Sequence, residues 1–146
     1  MALLKFTESD RLASIVIPTE WYHLEVTEID GPKESTSKKS FNFFFKVQVS
    51  DGPYAGKELS ICFNTGTKSP SVLGTQQFFP TAWMLQLAAA IQNKKLDEVS
   101  LEMDTEELIR KPFDGKIEKG IHEGVPMNTL LTFLPAGTGK DATAPF

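Results

Sequence analysis

The stretch that most constrains this chain is KKSFNFFFKVQVSDG, Lys38 to Gly52, which holds four phenylalanines within five residues. Phe41, Phe43 and Phe45 share parity with Val47 and Val49, the period of two expected of a strand that buries one face. Phe44 has the opposite parity and stands among Asn42, Lys46 and Gln48. A strand with a complete apolar face therefore places one more large aromatic on its polar side, beside a lysine. Either that ring is a binding surface, or it is covered by the amino-terminal segment or by the connection at 65–79.

The flanking segments follow the same alternation. EWYHLEVTEID reads as a first strand, with Tyr22, Leu24 and Val26 inward and Trp21, His23, Glu25 and Thr27 outward. The polar loop DGPKESTSKKS leads to the phenylalanine strand, and a third strand follows with Leu59, Ile61 and Phe63 inward. NTGTKSPSVLGTQQ reads as a long small-residue connection. A largely buried helix is expected from about Thr81, as N-cap, to Gln92, with the stripe Met84, Leu87, Ala88 and Ile91. DTEELIRK reads as a further short helix, and PFDGKIEKGI and VPMNTLLTFL as strands four and five around a hairpin.

Five strands with one helix between the third and fourth is the element order of an OB-fold, a partly open Greek-key barrel. The expected organisation is one all-β domain with an inserted helix over residues 1–137. Residues 1–16 are a short strand or arm, and 138–146 a flexible tail. That fold binds its ligand across the outer face of strands two and three, between the loops joining strands one to two and four to five.

Charge points to the same place. The whole chain carries a formal charge of -4, which excludes a simple polycation. Yet residues 33–68 contain six lysines against three acids, whereas 97–107 contain six acids and no base. Cations that follow phosphates, beside flat rings that stack on bases, are what single-stranded nucleic acid requires. The candidate site is Trp21, His23, Lys33, Lys38, Lys39, Asn42, Phe44, Lys46, Lys57 and Lys68. The alternative is a protein-interaction adaptor of the same fold, with Phe44 and Trp21 as interface anchors and no affinity for nucleic acid.

IPTEWYHLEVTEID, FKVQVSDGPYAGKEL, AWMLQLAAAI and GKIEKGIHEGVPMNTLLTFLPAG occur in an order that resembles a family of phage proteins. Members look like OB-fold single-stranded DNA-binding proteins of replication or recombination modules. The resemblance runs from about Ile17 to Gly137, and SDGPYAGKEL is its most specific piece. Glu20 stands where the family often has glycine and Lys57 where it often has arginine; neither change removes a stacking residue. The ending KDATAPF also resembles the tails of bacterial single-stranded DNA-binding proteins, although only Asp141 precedes its tip. That likeness implies that Pro145 and Phe146 dock replication or recombination enzymes.

An enzyme is not expected. The two histidines, His23 and His122, and the single cysteine, Cys62, give no zinc-ligand spacing. GTGKD lacks the first glycine, the hydroxyl residue and the following helix of a phosphate-binding loop. No cofactor or metal is expected. One cysteine, no apolar run long enough to span a bilayer and no basic leader suit a cytoplasmic protein, within an infected bacterium if phage-encoded.

Overall fold

The computed structural model describes residues 2–35 and 39–139. Helix α1 spans Glu8–Ser14 and α2 spans Ala82–Gln92. The strands are β1 (Glu20–Glu34), β2 (Phe41–Val49), β3 (Glu58–Asn64), β4 (Ser71–Leu73), β5 (Gln76–Pro80), β6 (Pro112–His122) and β7 (Val125–Pro135). They form one mixed, curled seven-stranded sheet in the order β4-β5-β3-β2-β1-β6-β7. No helix is long and apolar enough to cross a membrane, among the described residues.

The five expected strands are β1, β2, β3, β6 and β7, in the expected order. The connection at 65–79 differs: it folds back as β4 and β5, turning at Gly74 with φ +63°. β5 then lies parallel to β3, and Phe79 enters the core. The helix consequently follows the fifth strand rather than the third. Gln77, on β5, reaches across to β7. Its amide nitrogen donates to Leu130 O at 2.6 Å, and its amide oxygen accepts from Leu130 N at 2.9 Å. One buried side chain thus joins the two sides of the curled sheet.

Alternation builds the core as expected over most of β2, with Phe45, Val47 and Val49 buried. It fades toward the strand's start: Phe43 is half-buried, and Phe41 is exposed. β1 carries two register shifts, after Val26 and after Asp30. The first changes parity, so that Ile29 turns inward in succession to Leu24 and Val26. A side chain at Gly31 would come within 2.6 Å of Asn42 O, so the second shift needs glycine. Phe45, Phe63, Phe79, Phe113 and Phe133 fill the interior, and Trp83 of α2 stacks on Phe79 at 5.2 Å. α2 closes this side with Leu87 and Ala88 to Ala90 buried. Thr81 occupies its N-cap without a side-chain hydrogen bond.

The amino-terminal arm contains a helix. Thr7 and Asp10 form a reciprocal capping box at the start of α1, a signal present in TESD. DTEELIRK makes only a single 3-10 turn at Thr105–Glu107, capped by Asp104.

Candidate nucleic-acid interface

The side chains of β2 that point away from the core meet those of β1, β3 and β5 in transverse rows. One row runs Asp30, Phe44, Cys62, Phe78. Phe44 and Phe78 are both half-buried, whereas Cys62 between them is wholly buried despite its outward parity. Burial pushes the Cys62 thiol up from its ordinary pKa. With one strand between them, the two rings stand about 10 Å apart along the sheet. Phe78 escapes the sequence reading because its strand lies in the presumed loop; the parity of Gln77, Phe78 and Phe79 was the available signal.

The next row is Lys33, Asn42, Asn64 and Pro80. Asn64 donates to Asn42 Oδ1 at 2.6 Å and to Ser40 Oγ at 3.1 Å. Its own oxygen accepts from Gly66 N and Thr67 Oγ1. This net fixes the start of the 65–70 segment, which carries exposed Lys68, against Ser40, whose neighbour Lys39 is also exposed. On the other side of the aromatic row lie Glu28, Lys46 and Ser60.

The lysines of this face are not lone cations. Lys33 Nζ lies 2.6 Å from Asp30 and Lys46 Nζ 3.2 Å from Glu28, all four side chains about half exposed. Exposed pairs of this kind contribute about 0–1 kcal/mol, so a phosphate can replace the carboxylate at little cost.

Trp21 and His23 belong to a different cluster. His23 Nδ1 lies 2.7 Å from Asp114 Oδ1, and the other oxygen of this buried carboxylate accepts from Gly137 N and Gly139 N, each at 2.9 Å. A Cβ on Gly139 would come within 2.5 Å of the Trp21 ring, so that glycine lies directly against the indole. The indole Nε1 is buried and has no hydrogen-bond partner among the described residues. His23 O accepts from Ser50 N, and Ser50 is six residues, about 20 Å, along β2 from Phe44. Trp21 and His23 therefore do not extend the Phe44 surface. They hold the chain after β7 instead.

Lys57 must also be corrected. It is 8% exposed, and its ammonium donates to Leu12 O at 2.9 Å and Ile15 O at 2.6 Å. It anchors the end of α1, and burial lowers its pKa. Lys38, Pro145 and Phe146 lie outside the described residues. The structure thus gathers Lys33, Asn42, Phe44 and Lys46 on one face, with Lys39 and Lys68 at its edge, and separates Trp21, His23 and Lys57 from it. The chain matches no protein-family model and no curated protein.

Proposed function

We propose that this protein binds single-stranded DNA, with little sequence preference, across the outer face of β2, β3 and β5. Phe44 and Phe78 stack bases, and Lys33, Lys39, Lys46 and Lys68 contact phosphates. The observation that carries the proposal is the transverse row in which two partly exposed phenylalanines flank Cys62. Stacking on such rings contributes about 1–3 kcal/mol per base and tolerates any base. The finer fold assignment is part of the same proposal: β1, β2, β3, β6 and β7 are the strands of an OB-fold, and β4–β5 are an insertion beside β3. A role in phage replication or recombination, with Pro145 and Phe146 recruiting enzymes, rests on the resemblances described above.

A second reading, the protein-interaction adaptor, is favoured by the acids Glu25, Glu28, Asp30 and Glu58 on the same face, two of which hold its lysines. Anisotropy of labelled oligo-dT at increasing salt separates the two. DNA binding predicts an affinity that falls with a log–log slope of about -0.7 per phosphate contact, hence near -2 to -3 for three or four lysines. No binding at low salt leaves the adaptor.

A further inference from the structure

The side-chain amide of Asn42, on the outer face of β2, has its orientation decided by a chain of donors that begins in the backbone. Gly66 N can only donate, and it lies 2.8 Å from the Asn64 side-chain oxygen. The other end of that amide is therefore the nitrogen. Both Nδ2 hydrogens of Asn64 are used, on Asn42 Oδ1 at 2.6 Å and on Ser40 Oγ at 3.1 Å. Asn42 meets this donor with its oxygen, which also accepts from the Cys62 thiol at 3.5 Å. Its own nitrogen is left over. Asn42 Nδ2 has no hydrogen-bond partner among the described residues, and solvent reaches it.

That nitrogen stands beside the ring to which base stacking is assigned above. Asn42 and Phe44 share parity on β2, two residues and about 7 Å apart. On the far side of Phe44 stands Lys46, and across from Asn42 stands Lys33, both donors only. An asparagine with a free amide could present either end to a ligand. This one presents a donor, because its acceptor is committed to Asn64.

Resting on the single-strand reading above, we infer that Asn42 biases the base on Phe44 toward the keto bases, thymine, uracil and guanine. Asn64 is the positioning residue that makes it do so. A base lying on the Phe44 ring turns an edge toward Asn42. Thymine and guanine carry a carbonyl oxygen at the exocyclic position of that edge, where cytosine and adenine carry an amino group. The Asn42 amide donates to the first and sets N–H against N–H with the second. Binding along the rest of the strand stays tolerant of sequence, since every base can stack. Asn64 touches no base; it acts through Asn42.

Anisotropy titrations of the full chain with oligo-dU and oligo-dC of equal length test this, because the two bases differ only at positions 3 and 4. The wild-type protein should bind oligo-dU about three- to tenfold more tightly, the effect of one net hydrogen bond. Asn42→Ala should bring that ratio close to one. Asn64→Asp still accepts from Gly66 N but has no N–H to offer, so Asn42 turns its nitrogen inward and its oxygen outward. The ratio should then fall below one, in favour of oligo-dC. The added charge weakens both oligonucleotides alike and leaves the ratio untouched. Thermal melting shows which variants fold, and the Asn42→Ala ratio decides alone if Asn64→Asp does not. A wild-type ratio of one or less, as Asp30 opposite Phe44 would give by accepting from cytosine, overturns the inference and leaves single-strand binding standing. A preference for oligo-dU that persists in Asn42→Ala, or is unchanged in folded Asn64→Asp, does the same. Binding to neither oligonucleotide at low salt overturns both.

Discussion

Phe44 lies in register with Cys62 on the neighbouring strand, and although both point away from the core, Cys62 is fully buried. Its thiol donates to Asn42 Oδ1 at 3.5 Å, and burial raises its pKa. Both effects lower the thiolate fraction and its access, so native Cys62 should react slowly with a disulfide reagent at pH 8. Phe44→Ala or Phe78→Ala should accelerate labelling by removing a flanking ring. Equal labelling rates in all three proteins would show that something other than these rings covers the thiol.

Lys57 should matter for the fold and not for the ligand. Lys57→Met leaves the carbonyls of Leu12 and Ile15 without their donor and should cost about 1–3 kcal/mol, read by denaturant titration, with oligo-dT affinity unchanged. The pH dependence has a defined sign. Because burial holds the folded pKa below the ordinary lysine value of 10.5, the unfolded chain binds more protons between the two pKa values. Stability should therefore rise with pH through that window, and Lys57→Met should abolish the rise.

Gln77 is the side chain that ties β5 to β7. Gln77→Ala strands the buried N–H and C=O of Leu130 and should destabilise by about 1–3 kcal/mol for each unsatisfied group. Native-state hydrogen exchange should show the loss first at Leu130.

Much of this molecule is legible in its sequence. Alternation from Leu24 to Val26 in β1, Phe45 to Val49 in β2 and Leu59 to Ile61 in β3 identifies the buried faces, because period two survives where one face of a strand is apolar. The α2 stripe and the hairpin turn at Glu123–Gly124, both with positive φ, are equally local. What escapes is set by contacts distant in sequence. The polar composition of SVLGTQQ hides β4 and β5, which exist because β3 supplies an edge and Phe79 a core contact. The parity of Trp21 and His23 is outward, yet Asp114 and Gly139, over ninety residues away, cover one and hold the other. Lys57 reads as a surface cation until α1 lies over it.

Asp114→Asn should loosen the chain after β7. The charged acceptor now takes Gly137 N and Gly139 N and pairs with His23, and hydrogen bonds to charged groups contribute about 1.5–3 kcal/mol. Trp21, which Gly139 covers, should become more accessible to acrylamide quenching. Oligo-dT affinity should not change, because this cluster is remote from the aromatic row.

The central claim is that Phe44 and Phe78 form the base-stacking surface. Oligo-dT anisotropy titrations of Phe44→Ala and Phe78→Ala, each checked by thermal melting, test it most directly. Each variant should lose about 1–3 kcal/mol of single-strand affinity. Each should lose about 0.5–3 kcal/mol of stability, as for a partly exposed ring. Phe45→Ala, in the core of the same strand, should instead cost about 3–5 kcal/mol of stability. Folded Phe44→Ala and Phe78→Ala proteins that bind oligo-dT as tightly as the wild type would contradict the claim.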